Sequence, residues 1–265
     1  MTDYAVGRTL GYDGSGVYVV APLATVIPVK VLGQNGSGWW SVISRGIVYV
    51  ANLKAEGGEL HDFPVVINMS LAGSTPSGME EAAIDYAIEQ GVIVVASAGN
   101  RGEAGMGYPG AFPKVISAAA SGWVDLFTPG SGGWLGNVPD PTDPEYFYIA
   151  DFSSRAIGDQ DLDVTAPGAW VVGPYQVNSG QLSYYYLSGT SMSSPHAAGI
   201  VALMLDKNPS LTRDQVEAIL EASAIPMPAG CRTVPEPAGS TEYCWSDDAT
   251  GAGLASAAAA LLATP

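Results

Sequence analysis

The 265 residues carry 10 Lys and Arg against 26 Asp and Glu, a formal charge of −16, which argues against nucleic acid or an anionic membrane as the main partner. Apolar residues make up 47%, with 33 Gly and 19 Pro, a composition that suits a compact core crossed by many turns and excludes a disordered polyelectrolyte. No apolar run reaches the length of a membrane span, and residues 1–14 lack the charged and apolar zones of a secretory signal.

Short β-rich runs alternate with helical spacing, which predicts an α/β fold: a parallel sheet covered by helices on both faces, three layers in all. Residues 24–31 (ATVIPVKV) read as a strand, followed by a Gly-rich turn and a helix over 41–53. Runs 65–70 (VVINMS) and 92–98 (VIVVASA) are near-continuously apolar, as strands buried on both faces should be. A helix is expected over 79–90, stopped by Gly91. Residues 114–120 and 162–166 read as further strands. A long helix is expected over 191–208 and another over 212–222, where Thr212 and Gln215 form a capping-box pattern; the last helix is 255–263. The whole chain reads as one domain with loop insertions at 55–64, 122–148 and 229–248. The only cysteines, Cys231 and Cys244, fall in the Pro/Gly/Ser-rich stretch 226–246 with no histidine nearby, so a disulfide and an oxidising setting are expected ahead of a zinc site.

Two motifs carry chemistry. Gly189-Thr190-Ser191-Met192-Ser193-Ser194-Pro195-His196 runs straight into the apolar helix AAGIVALML. A serine nucleophile needs a tight turn that exposes its hydroxyl and a helix N-terminus whose amides favour developing negative charge. Val94 to Asn100 (VVASAGN) is a buried strand ending in a Gly-Asn turn, where an asparagine amide can donate to an oxyanion.

On these two segments the chain resembles the subtilisin-like serine peptidases, the subtilases. The resemblance implies that Ser191 is the nucleophile and that Asn100 helps hold the oxyanion. It also implies a substrate cleft. Ser70, Leu71, Ala72 and Gly73 would form one edge for an extended peptide, Ser97, Ala98 and Gly99 would also bind substrate, and Gly107, Tyr108, Pro109 and Gly110 resemble the wall and floor of the pocket before the scissile bond. Gly36, Ser37 and Gly38, within 32–38, resemble the opposite edge strand, and Trp40 and Ile43 fall where the family lines an outer apolar pocket. The stretches 21–32, 163–168 (DVTAPG) and 251–261 match the family as well.

The resemblance also implies what is absent. The family's triad needs an aspartate ending an early strand and a histidine opening an early helix, and neither motif occurs; in register, the histidine would fall one position before Met1, with Asp3 where a second histidine usually stands. His196, five positions after Ser191 on one helix, points away and reads as structural, and His61 reads as a loop residue at the wrong end of the sheet. The sheet is expected to lack its first strands, so that 24–31 and 65–70 either pair directly or are bridged by another chain, a homodimer or an N-terminal fragment. No cofactor is expected. Residues 10–17 with Asp13 match a calcium loop in length, but the family's other ligands come from the absent region. The expected activity is hydrolysis of peptide or ester bonds by a secreted protein. The alternatives are weak turnover of activated esters without a full triad, a peptide-binding remnant, or half of a split enzyme.

Overall fold

The computed structural model describes residues 19–127, 140–178, 181–236 and 238–265. Five strands form its main sheet: β1 (Val65–Met69), β2 (Val92–Ser97), β3 (Ile116–Trp123), β4 (Phe147–Ile149) and β5 (Val164–Pro167). β1, β2, β3 and β5 run parallel, and β4 is antiparallel to β3. Around the sheet lie helices α1 (Trp40–Lys54), α2 (Gly78–Glu89), α3 (Thr190–Lys207), α4 (Arg213–Ser223) and α5 (Ala257–Ala263). Two hairpins complete the set, β6 (Val171–Asn178) with β7 (Gln181–Leu187), and β8 (Gly230–Glu236) with β9 (Gly239–Trp245).

The alternation along β2 explains the three layers. Side chains on successive strand residues point to opposite faces. Ile93 and Val95 join Ile116, Ala118 and Val164 against Ala197, Ile200, Val201, Met204 and Leu205 of α3. Val92, Val94 and Ala96 face the other way, onto Ile43, Ile47 and Ala51 of α1 and Ala83, Ile84 and Ala87 of α2. Each large aliphatic side chain taken fully out of water contributes about 1.5–3 kcal/mol, so both faces must be covered. α4 opens with the expected capping box: the Thr212 hydroxyl accepts from the Gln215 N–H, and Gln215 Oε1 accepts from the Thr212 N–H.

Two expectations are corrected, and one element is new. Residues 24–31 form no strand and pair with nothing in the sheet, so β1 hydrogen-bonds to β2 alone and its other edge is open among the described residues. The reason lies in what holds the segment. Val20 packs on Gly199 of α3, on one face of the sheet, while Val29 and Val31 pack on Gly46 of α1, on the other. The segment is thereby fixed in an extended path, with Val26 60% and Ile27 46% exposed. The direct pairing of 24–31 with 65–70 therefore does not form. The open edge is tolerable because Val65, Val66 and Ile67 are only half-buried and Asn68 is exposed, so its backbone groups are not sealed from water. Second, the segment 32–38 is a turn and not an edge strand: the Gly33 N–H donates to Ser37 O at 2.8 Å and the Gly36 N–H to Gly33 O at 3.1 Å. The Tyr-rich β6–β7 hairpin was not expected.

The regions read as insertions take three forms. Residues 56–63 are turns, and 122–148 reach into β4 and include residues outside the described set. The third is the β8–β9 hairpin, where Cys231 and Cys244 face each other in register and are bonded. Residues 1–18, including Asp3 and the 10–17 loop, lie outside the described residues. Among the described residues no helix is long and apolar enough to cross a membrane, and no three His, Cys, Asp or Glu side chains gather to hold a metal ion.

Candidate active site

The C-terminal ends of β1 and β2 and the N-terminus of α3 meet at one point. Met69 is opposite Ala96 in the parallel register, so Ser70 follows β1 beside Ser97, and the chain from Ser97 turns through Gly99 to Asn100. The Ser97 hydroxyl donates to Leu71 O at 3.0 Å, tying the two strand ends together. Ser191 is half-buried in the first turn of α3, with its Oγ directed toward Ser70 O at a long 3.4 Å. Among the described residues no imidazole or carboxylate hydrogen-bonds to that hydroxyl.

Asn100 is held in one orientation. Its Oδ1 accepts from both the backbone N–H and the hydroxyl of Thr190, each at 2.9 Å, and the Thr190 hydroxyl in turn accepts from the Gly99 N–H at 3.1 Å. With the oxygen committed to Thr190, the amide nitrogen faces the other way. A methyl-sized group placed on Gly189 would sit 3.4 Å from Asn100 Nδ2 and 3.7 Å from the Ser191 backbone nitrogen. The Asn100 amide nitrogen and the Ser191 backbone nitrogen therefore flank the position left free of a Cβ at residue 189, with Met192 Sδ at 3.8 Å beside them. A carbonyl oxygen becoming an alkoxide would be stabilised there, by two N–H groups and the positive end of α3.

The start of α3 contains a proline, which would ordinarily orphan a carbonyl. Pro195 has no N–H for Ser191 O, four residues earlier. The Ser70 hydroxyl fills that role, donating to Ser191 O at 2.8 Å, and it also bonds to Ser194 Oγ at 3.0 Å. The proline thus creates a demand that the end of β1 satisfies, and the Ser191 backbone is pinned to that strand end. The DVTAPG stretch supports the same turn: the Gly189 N–H donates to Gly168 O at 2.8 Å.

The proposed cleft residues fall into two groups. Ser70, Leu71, Ala72, Gly73, Ser97, Ala98, Gly99, Gly107 and Tyr108 are brought together with Ser191 and Asn100. Gly73 and Tyr108 exchange backbone hydrogen bonds at 2.8 and 2.9 Å, the Gly107 N–H donates to Ala98 O at 2.8 Å, and Gly107 lies against Ala72. The Tyr108–Pro109 bond is cis. Gly36, Ser37 and Gly38 form a separate turn; Ser37 and Gly38 line a groove of about 670 Å³ with Trp39 and Val42. Trp40 links the groups, since its indole covers Gly73, while Ile43 is 4% exposed and belongs to the core.

The two histidines stand apart from this centre. His196 Nδ1 is 2.7 Å from Met192 O, and burial holds its pKa below the ordinary value. His61 is exposed, with its carbonyl accepting from Lys54 Nζ at 2.6 Å. Two groups escaped the sequence reading. Thr190 carried a signal in its motif, but only the geometry gives it the task of orienting Asn100. Glu80, in the first turn of α2, is wholly buried with neither carboxyl oxygen hydrogen-bonded, and burial raises its pKa to about 7.

Comparison with known proteins finds subtilisins and related proteases. Subtilisin DY from Bacillus licheniformis is 36% identical over 226 residues, covering 83% of this chain and 69% of its own length. Thermitase from Thermoactinomyces vulgaris is 30% identical over 212 residues, 80% of this chain and 62% of its own. A subtilisin from Bacillus sp. (strain TA39), at 33% identity, is spanned for only 48% of its length, so the chain corresponds to part of these relatives. Among solved structures, sphericase superposes with a TM-score of 0.67 at 28% identity, covering 92% of this chain and 72% of that one. The S41 psychrophilic protease gives 0.66 at 31%, with the same coverage. The family model for the subtilase family matches residues 7–259, a span holding Asn100, Ser191 and nearly all of the sheet and helices. The chain belongs to the subtilase family.

Proposed function

We propose that this chain carries the nucleophile and oxyanion half of a secreted serine hydrolase acting on peptide or ester bonds. The observation that carries the reading is that Asn100 Nδ2, oriented by Thr190, and the Ser191 backbone nitrogen both flank the Cβ-free position at Gly189. In the first step Ser191 Oγ forms a bond to the substrate carbonyl carbon and gives up its proton. The carbonyl oxygen becomes the oxyanion held by the two donors. Collapse expels the amine or alcohol, leaving an acyl-Ser191 that water then hydrolyses. The Gly73–Tyr108 bridge and the backbone at 97–99 offer the edges along which an extended peptide would pair.

The base that takes the Ser191 proton is supplied from outside the described residues. The open edge of β1 and the extended 24–31 segment, with their exposed Val26 and Ile27, favour a companion reading. A further strand, from an N-terminal fragment or a second copy of the chain, would pair with β1 and complete the site. Without it, activated esters are the substrates of choice, since their leaving groups need no general acid.

The test is turnover of a p-nitrophenyl ester and a chromogenic peptide by the chain and by Ser191→Ala. Ester turnover that disappears in the variant supports Ser191 as nucleophile. Peptide turnover gained only on adding an N-terminal fragment supports completion of the site. Equal rates for chain and variant on both substrates, with and without the fragment, would leave only a binding role.

A further inference from the structure

A second recess, of about 690 Å³, lies between the loop that follows Asn100 and the disulfide hairpin, with Glu103, Arg155, Trp245, Asp248 and the Cys231–Cys244 bond in its walls. That volume is in the range of roughly 300–1,000 Å³ typical of small-ligand sites. Arg155 is the unusual member. Its residue is only 6% exposed, its Nη1 is sealed from water, and its guanidinium makes no hydrogen bond or ion pair with any described residue. Arg213 and Arg232, also well covered, are paired with Glu217 and Glu145. A guanidinium cannot shed its proton, so a buried one without a counter-charge demands an anion.

The two acids of the recess do not meet that demand. Neither pairs with Arg155, and Asp248 Oδ1 instead accepts from the Ser246 hydroxyl at 2.7 Å. One cation and two carboxylates around a single cavity repel a multiply charged anion such as phosphate. They suit a ligand that brings a planar carboxylate for the guanidinium fork and a cationic group for the acids. We propose that this recess binds a zwitterionic amino acid or short peptide, its carboxylate on Arg155 and its ammonium group toward Glu103 and Asp248. The site is tied to the oxyanion loop: the Arg155 N–H donates to Gly102 O at 3.0 Å, and the Ser154 N–H donates to Gly99 O at 2.9 Å. Occupancy would therefore bear on the segment that carries Asn100.

The experiment uses the Ser191→Ala chain, which removes turnover, and titrates alanyl-alanine by calorimetry and ligand-observed NMR. Its C-terminal amide, its N-acetyl form and inorganic phosphate are run beside it. The expected result is saturable binding of the dipeptide, weakened at least tenfold by removing either charge and absent for phosphate. Arg155→Met should abolish it; if that variant fails to fold, Arg155→Lys should weaken it severalfold. Glu103→Gln, at an exposed position, should weaken the dipeptide while leaving the N-acetyl form unchanged or tighter. No saturable binding, binding indifferent to the Arg155 and Glu103 substitutions, or phosphate bound as well as dipeptide would overturn the proposal.

Discussion

The two sides of the parallel sheet's C-terminal end differ sharply. Around Asn100 and Ser191 nearly every polar group has an assigned partner: Thr190 fixes the asparagine, Ser70 supplies the donor that Pro195 lacks, and Gly73 and Tyr108 lock the cleft wall. Around β1 the ladder stops after one strand, and an extended apolar segment runs by without pairing. The contrast teaches that the proposed oxyanion donors are assembled within this chain by long-range contacts, Thr190 to Asn100 and Ser70 to Ser191. In the proposed function, the group that takes the Ser191 proton comes with whatever pairs along the open edge of β1.

Substitutions at the ordered side should have the largest effects. Ser191→Ala should reduce ester turnover to the uncatalysed rate, measured with the p-nitrophenyl ester; retained turnover would move the chemistry elsewhere. Asn100→Ala should lower the rate by roughly 10²–10³, a magnitude known from the oxyanion asparagine of a subtilisin, with little change in KM. Thr190→Val, which keeps the shape but loses the hydroxyl that orients Asn100, should cost roughly five- to tenfold in kcat. If Thr190→Val equals Asn100→Ala, the threonine does more than aim the amide.

The open side sharpens the comparison more gently. Val26→Lys together with Ile27→Lys should leave the folded stability of the chain unchanged within about 0.5 kcal/mol, because both side chains already face water. The same pair should weaken association with any strand that fills the slot, read by sedimentation or by complementation. A marked loss of stability would mean the segment is packed more tightly than its exposure indicates.

Glu80 gives the pH prediction. Burial raises its pKa from 4.5 to about 7, so the folded chain keeps a proton there that the unfolded chain releases. Its contribution is favourable at low pH and is lost as pH rises from about 4.5 to 7. Glu217 is raised in the same direction by burial first and then by its neighbour Asp163, against the lowering pull of Arg213, with which it pairs. Glu80→Gln should flatten the decline by on the order of 2 kcal/mol, read from urea midpoints at acid and mildly alkaline pH. An unchanged slope would show that Glu80 is not the group responsible.

What could be read from the sequence was whatever local pattern determines. The apolar runs of β2 and α3 announce burial on both faces, the Thr212–Gln215 pair announces a cap, and the two glycine-flanked motifs mark the turns that bring Asn100 and Ser191 together. The segment 24–31 shows the limit. Its composition is that of a strand, yet a strand exists only when a neighbour is within hydrogen-bonding distance, and here Val29 and Val31 pack on Gly46 of α1 while the preceding Val20 packs on Gly199 of α3. The task of Thr190 and the Ser70 donation to Ser191 O that compensates for Pro195 span 90 and 121 positions, beyond what spacing along the chain reveals. Arg155 gave no signal, since nothing in the residues around it marks an unpaired buried cation.

The most direct test of the central claim, that Ser191 stands as a nucleophile in a preformed oxyanion site, is labelling with a fluorophosphonate followed by mapping of the modified residue. The account predicts a single adduct on Ser191, formed more slowly in Asn100→Ala. No adduct on Ser191, or labelling there at the same rate without Asn100, would contradict it.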